Sequence, residues 1–194
     1  MPTGTGSSRR DENEPPHDSI KQLKRLGMTI GMTTYNFQKQ LEKGQVQEMR
    51  VEDFLRGRGW KVAQTDMSEQ RRGIDRWLHN SMNPEAIGVE MKADFQAHRT
   101  GNAYIETVSV GRYVGQDFVV EKGGWLYTSQ ADYLFYLVVE TGKLYLTTPK
   151  DLREQMETKR YHGVTVKNNG YQGRGLLLPL KELENISKRD WSID

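Results

Sequence analysis

The sequence contains no cysteine. This absence excludes disulfide bonds, thiolate zinc sites, iron–sulfur clusters and a cysteine nucleophile. Histidine is scarce as well, with 4 residues whose spacing matches no zinc motif. A metal site in this chain must therefore be built mainly from oxygen ligands, which favours a hard divalent cation.

Long hydrophobic runs are also missing. No stretch reaches the length of a membrane span, and the first residues lack the hydrophobic core of a signal peptide. From these absences we expect a cytoplasmic protein without a membrane partner. Hydrophobic residues make up 35% of the 194 residues and charged residues 28%, which suits one folded domain rather than two catalytic domains.

The chain changes character after its first segment. Residues 1–18 combine Gly, Ser, Pro and charge without apolar periodicity, which predicts a disordered or arm-like tail. Residues 19–194 are expected to form a single domain with its core at about residues 37–147. A helix is predicted to begin near Ser19, and a longer one lies between Tyr35 and Arg58, interrupted near Gly44.

An α/β fold with a mixed β-sheet flanked by helices follows from the downstream pattern. The central strand, 86–95, has Ile87 and Val89 on one face and Glu90 and Lys92 on the other. Further strands are predicted at 60–63, 74–78, 104–110, 133–139 and 143–147. Short turns are predicted at 68–73 and 96–101, a short helix capped by Ser129, and a longer helix opened by Thr148 and Pro149.

The chemistry-bearing pattern is an aspartate, a gap, and then Glu-x-Lys on a strand. Asp75 follows Gly73-Ile74, and Glu90 and Lys92 project from one strand face. An aspartate from the neighbouring strand would complete an oxygen site for Mg²⁺ or Mn²⁺, with Lys92 orienting or deprotonating a water or offsetting phosphoryl charge. The alternative is an ordinary amphipathic edge strand without a chemical role.

These motifs resemble those of the PD-(D/E)xK nuclease superfamily over about residues 44–139. The stretch 43–62 resembles the opening helix and strand of archaeal Holliday-junction resolvases, although Ile74 stands where the family usually has proline. The segments 100–106 and 124–133 resemble small nucleases of phage and mobile elements. The resemblance implies a restriction-endonuclease-like fold, a nuclease domain over residues 19–194, a Mg²⁺ or Mn²⁺ cofactor and phosphodiester hydrolysis.

The resemblance also implies the site residues. The catalytic set is Glu48, Asp75, Glu90 and Lys92, and the metal ligands are Asp75, Glu90, Glu48 and the backbone carbonyl of Met91. Glu52 lies one helical turn beyond Glu48 and would take the place of Glu48 in the site if the helix were rotated. Alternatively, Glu52 forms an i, i+4 ion pair with Arg56.

Further candidates surround this set. Secondary site residues are Asp94, Asn102 and Glu106, with a strand-end solvent contact or a cross-strand pair as the alternative. Nucleic-acid contacts are expected from Arg50, Arg58, Arg71, Arg72, Arg76, His98 and Arg99, with solvated surface as the alternative.

The expected function is a metal-dependent DNA endonuclease. It would be directed to junctions, flaps or ends in recombination, repair or phage DNA processing. RNA stays open as a partner, and a homodimer is expected because related enzymes cut two strands. Two alternatives remain: a restriction-type or RNA-directed endonuclease that uses the same site, and a catalytically inactive nucleic-acid-binding protein.

Overall fold

The computed structural model describes residues 37–81, 85–168 and 170–193, with side chains from residue 42 onward. The expected tail at 1–18 and the expected helix near Ser19 lie outside these residues. The described residues form one compact unit.

Six helices and ten strands alternate along the described chain. The helices are α1 (Phe37–Gly57), α2 (Met67–Arg71), α3 (Ala97–Thr100), α4 (Trp125–Thr128), α5 (Pro149–Thr158) and α6 (Leu180–Ile186). The strands are β1 (Lys61–Gln64), β2 (Arg76–His79), β3 (Ile87–Asp94), β4 (Asn102–Val114), β5 (Asp117–Gly123), β6 (Tyr133–Val138), β7 (Lys143–Thr147), β8 (His162–Lys167), β9 (Gln172–Pro179) and β10 (Arg189–Ser192).

The main sheet has six strands in the order β1-β2-β3-β6-β7-β10. Strands β3 and β6 are parallel, and the other neighbours pair antiparallel. Parallel neighbours require a crossover connection, which here runs from α3 through β4, β5 and α4. The predicted α/β class, with a mixed sheet flanked by helices, is confirmed.

A second sheet of four antiparallel strands, in the order β5-β4-β9-β8, was not anticipated from the sequence. Two of its strands come from the crossover and two from the region after α5. The sequence had indicated only one strand in the crossover, and a single apolar segment near the end of the chain.

Two apolar clusters occupy the two faces of the main sheet. Alternate residues of β6 divide between them: Phe135 and Leu137 pack with Val51 of α1, whereas Leu134 and Tyr136 pack with Ile105 of the second sheet. Each fully buried aliphatic side chain contributes about 1.5–3 kcal/mol relative to an exposed one. Helix α1 therefore covers one face of the sheet, and the second sheet with α5 and α6 covers the other.

Local expectations were wrong at four places. Helix α1 runs through Gly44 without interruption. The turn expected at 68–73 contains α2, which a reciprocal capping box between Asp66 and Glu69 stabilises. The loop expected at 96–101 contains α3. The short helix predicted after Ser129 lies before it, because Gly124 permits a close approach that starts α4 at Trp125.

No helix in the described ranges is both long and apolar enough to cross a membrane.

Candidate active site

Strand β3 places two opposite charges side by side. Its residues alternate as the sequence predicts: Val89 and Met91 are buried on the face covered by α1, and Glu90 and Lys92 project to the other face. The Lys92 Nζ lies 2.7 Å from Glu90 Oε1. The Glu90 side chain is 2% exposed and that of Lys92 is 31% exposed, so the pair joins a buried carboxylate to a partly exposed lysine side chain.

The second carboxylate oxygen of Glu90 has no hydrogen-bond partner among the described residues. It faces the turn at Gly73, where a Cβ atom would lie 3.0 Å from Glu90 Oε2 and 2.8 Å from the Cα of Ser129. The Ser129 hydroxyl lies close enough to lower the pKa of Glu90, but it donates to the carbonyl of Gly73 at 3.2 Å. A buried, unpartnered carboxylate oxygen is costly to a fold, so a ligand at this position would remove a penalty.

The charges of this pair depend on each other. Burial raises the pKa of Glu90, while the charge and hydrogen bond of Lys92 oppose that rise. Burial alone would lower the pKa of Lys92, but the carboxylates of Glu90 and Asp75 raise it above its ordinary value. The lysine therefore keeps its proton at neutral pH, which suits a fixed positive charge better than a general base.

Asp75, which directly precedes β2, is hydrogen-bonded to β3. Its backbone N–H donates to the Val89 carbonyl at 2.8 Å, and its Oδ2 accepts from the Met91 N–H at 2.7 Å. The Thr65 hydroxyl donates to the Asp75 carbonyl at 2.8 Å. These bonds fix the aspartate beside the strand that carries Glu90, as the order of the motif predicts.

Helix α1 contributes two glutamates with different surroundings. Glu52 is 3% exposed and accepts from Arg76 Nε at 2.6 Å and from Arg56 Nη2 at 2.5 Å. The Glu48 side chain is 30% exposed, with Oε2 3.3 Å from Arg76 Nη2. Both oxygens of Glu52 are thus engaged, whereas Glu48 remains accessible.

Electrostatic coupling joins Glu48 to the strand residues. Burial and the neighbouring Asp75 carboxylate raise the pKa of Glu48, while Arg76 and Lys92 oppose that rise. Glu48 is therefore coupled to the charges of Asp75 and Lys92, and the preference for Glu48 over Glu52 stays a prediction.

Three residues of the crossover also surround this cluster. The Lys92 Nζ lies 5.9 Å from the ring centroid of Trp125, and the Glu106 carboxylate adds to the raised pKa of Lys92. Ser129 lies beside Glu90, as described above. Glu106 was a sequence candidate, but Trp125 and Ser129 were missed as neighbours of the site. The glycine pair before Trp125 was the available signal, since a Cβ at Gly124 would lie 2.3 Å from the Glu106 carbonyl oxygen.

Two secondary candidates serve the fold. Asp94 Oδ1 accepts from the N–H groups of Gln96 and Ala97, and Oδ2 accepts from the Tyr136 hydroxyl and the Tyr104 N–H. The Asn102 amide donates to the Thr100 carbonyl at 2.6 Å. Asp94 therefore starts α3 and joins β3 to the second sheet, and it has no free oxygen to offer the site.

The basic residues proposed for nucleic acid divide into two groups. Arg50 donates to the Ile193 carbonyl at 2.7 Å, and the Arg76 side chain, 11% exposed, contacts Glu48 and Glu52. Both hold parts of the chain together. The exposed ones are Arg58, Arg71, Arg72, His98 and Arg99. Their role in nucleic-acid binding stays a prediction.

A cleft of about 660 Å³ opens beside Glu48 and Asp75, between α1 and the start of β2. Its charged lining comprises four carboxylates and two guanidinium groups, from Glu48, Glu52, Asp53, Asp75, Arg56 and Arg76. An excess of carboxylates attracts cations and repels the phosphates of a nucleic acid.

Within residues 37–81, 85–168 and 170–193, no three Asp, Glu or His side chains converge as a ready metal cage. The Met91 N–H, rather than its carbonyl, contacts Asp75. The donors present are carboxylate oxygens, and Mg²⁺ is commonly held by one or two carboxylates with several waters. The donor chemistry and the unpartnered Glu90 oxygen thus fit a hard cation.

The chain matches no family model, no curated protein and no solved structure.

Proposed function

We propose that this chain is a metal-dependent DNA endonuclease of the PD-(D/E)xK type. One observation carries the proposal: the Lys92 ammonium is paired with Glu90 on one face of β3 at 2.7 Å, and Asp75 is bound to the same strand through the Met91 N–H. Two carboxylates and a lysine in this arrangement are what metal-assisted phosphodiester hydrolysis needs.

Asp75 and Glu90, with Glu48 at the edge of the cleft, are the residues that would hold Mg²⁺ or Mn²⁺. When bound, such a cation polarises the phosphate and acidifies water. Because the cleft carries more carboxylates than guanidinium groups, a phosphodiester would approach it poorly without cations.

The chain's own residues supply the remaining functions. Lys92, held protonated by Glu90 and Asp75, stabilises the negative charge that develops on the phosphoryl oxygens and orients the attacking water. Glu90 fixes the ammonium in place. Arg76 contacts both Glu48 and Glu52 and so orients the accessible glutamate toward the cleft.

DNA with junctions, flaps or ends is the proposed substrate. The resemblance of the Glu48 helix to junction resolvases supports this choice. Arg71, Arg72 and Arg99 are exposed and would contact phosphates without reading bases. Cleavage of two strands would be served by a homodimer.

A catalytically inactive nucleic-acid-binding protein is the second candidate. It is favoured by the lack of a ready three-residue metal cage among the described residues.

One assay separates the two candidates. Labelled four-way junction, flap, linear duplex, single strand and structured RNA are each incubated with Mg²⁺, Mn²⁺ or EDTA, and both binding and cuts are scored. The proposal expects cuts in branched DNA that need metal and disappear in Lys92→Ala purified in the same way. Binding without cleavage supports the inactive protein. Cuts at one defined duplex sequence support a restriction-type enzyme, and cuts only in RNA contradict the DNA assignment.

A further inference from the structure

An apolar groove lies on the face of the main sheet that carries α1, beyond the end of that helix. It encloses about 480 Å³, within the range of small-molecule sites. Five aromatic side chains are part of its otherwise aliphatic and basic lining: Phe54, Trp60, Tyr133, Phe135 and Trp191. We call this feature the aromatic groove. It faces away from the side chains of Glu90 and Lys92, which project from the opposite face of β3.

Trp191 of the edge strand β10 is central to the groove. Its ring centroid lies 5.5 Å from that of Phe54 and 6.4 Å from that of Phe135. The rings of Trp60, Tyr133 and Trp191 are only partly buried. Part-exposed rings at such spacing offer planar surfaces on which another flat group can stack.

Cations line the rim of the groove. The Arg58 guanidinium lies 4.6 Å from the ring centroid of Phe54 and 5.6 Å from that of Trp191. Arg189 is exposed on β10. Lys188 also lines the groove but is ion-paired with Asp151 at 3.0 Å. No acidic side chain is among the described residues that line it, so the groove is complementary to an anionic ligand with apolar, planar parts.

The charge argues against a second copy of this chain as the occupant. A two-fold contact through the groove would bring Arg58 and Arg189 near their own counterparts, and like charges in an interface are unfavourable. A single-stranded nucleic acid has the required chemistry, since its bases stack on aromatic and guanidinium planes while its phosphates pair with cations.

We propose that the aromatic groove binds an unstacked base of single-stranded nucleic acid, with Arg58 and Arg189 contacting the flanking phosphates. The inference deepens the proposed function, on which it rests for the choice of ligand. It adds a contact outside the acidic cleft that would recognise the unpaired segments of a branched substrate.

The test is equilibrium binding of two short labelled oligonucleotides of equal length in EDTA at fixed ionic strength. One is oligothymidylate, and the other is abasic, with the same phosphates and no bases. We expect the parent protein to prefer oligothymidylate about five-fold or more, from the usual strength of base–aromatic stacking. Trp60→Leu and the conservative Trp191→Phe should reduce that preference. Arg58→Ala and Arg189→Ala should weaken binding of both oligonucleotides.

Matched controls lie outside the groove. Tyr127→Leu removes an aromatic side chain that is 59% exposed on α4, and Arg160→Ala removes an exposed arginine; both should leave the base preference unchanged. Equal binding of the two oligonucleotides by the parent, or an unchanged preference in Trp60→Leu and Trp191→Phe, would overturn the inference. Binding of an acidic, Phe-containing peptide instead of oligothymidylate would assign the groove to a protein partner. Because the assay needs no cleavage, these results are independent of whether the acidic site is active.

Discussion

The Lys92 ammonium and the Glu90 carboxylate form a 2.7 Å ion pair across one repeat of strand β3. The pair is one-sided: the carboxylate is almost fully buried, whereas nearly a third of the lysine side chain is exposed. A buried carboxylate needs a cation or must take up a proton. Lys92 supplies that cation.

The first prediction concerns the charge of Lys92. Lys92→Ala should lower cleavage by about 10²–10³-fold, the usual effect of removing one group that stabilises transition-state charge. Lys92→Arg should recover part of that loss, because a guanidinium retains the charge. Single-turnover kinetics on a branched DNA measures both, with circular dichroism to show that the variants are folded. Full loss in Lys92→Arg would instead assign Lys92 a role as a base.

The second prediction concerns the metal ligands. Asp75→Asn and Glu90→Gln should each weaken Mn²⁺ binding by at least about ten-fold, since even outer-shell partners of a metal contribute that much. The amide oxygen that Asp75→Asn introduces can still accept from the Met91 N–H, so this variant should keep its fold. Calorimetric titration with Mn²⁺ is the measurement. Parent-like affinity in both variants would place the metal elsewhere.

The third prediction concerns Arg76, which carries no proposed contact to substrate. Arg76→Ala should reduce the free energy of unfolding by about 1–3 kcal/mol, because one oxygen of the buried Glu52 loses its partner while Arg56 still pairs with the other. Urea denaturation measures the loss, and Arg71→Ala, at an exposed position, is the matched control. A double-mutant cycle of Arg76→Ala with Glu52→Gln measures the coupling energy between the two side chains. This energy would be zero if the two residues acted independently.

The fourth prediction separates backbone strain from crowding. Gly73 and Gly59 both have positive φ, +72° and +85°, but a Cβ at Gly59 meets nothing within 4 Å. Gly59→Ala should therefore cost only the left-handed conformation, about 1–2 kcal/mol. Gly73→Ala should cost more and should also slow cleavage by displacing Glu90 or Ser129. Equal effects of the two substitutions on stability and turnover would show that the Gly73 contact is unimportant.

The fifth prediction concerns stability at alkaline pH. Burial and the Asp94 carboxylate raise the pKa of Tyr136 well above its ordinary value of 10.0. A raised pKa in the folded state stabilises the protein below the unfolded-state pKa, and this contribution is lost as pH rises beyond it. Tyr136→Phe should be less stable by about 1.5–3 kcal/mol near neutral pH, the usual contribution of a hydrogen bond to a charged group.

Above pH 10 the difference between parent and Tyr136→Phe should narrow. Denaturant unfolding at several pH values checks it. The pKa of Tyr104 is raised to about 12. Because Tyr104 titrates in both proteins, its contribution to the difference in stability between them cancels. A difference that is constant with pH would contradict the linkage.

The alternation of β3 was predictable because it depends on local periodicity. The period-two pattern predicted that Val89 and Glu90 lie on opposite faces of the strand. The apolar run of β6 predicted a buried strand. The second sheet was not predictable. The pairing of Tyr104 with Leu177 joins segments far apart in sequence, and the exposed pattern of β5 and β8 resembles that of loops.

The approach of Asp75 to the strand of Glu90 and Lys92 was predictable, whereas the role of these residues stays a prediction. Asp75, Glu90 and Lys92 were identified as candidates because an acidic residue, a gap and Glu-x-Lys form a motif that can be read from the sequence. Arg76 was expected to meet phosphates, yet it contacts Glu48 and Glu52. Which carboxylates pair with Arg76 depends on how α1 packs against β2. The local sequence pattern does not predict this packing.

The crossover between β3 and β6 has a consequence for the order of folding. Helix α1 and strands β1 to β3 are contiguous in sequence, so Glu48, Asp75 and Glu90 can assemble through short-range contacts. Trp125 and Glu106 reach Lys92 only through the crossover, whose strand β4 pairs with the distant β9. Pairing across long stretches of chain is slow, and nascent chains fold from their N-terminal part first. We therefore expect the acids to gather early during synthesis, and the surroundings that hold the lysine to be completed only after β9 has emerged.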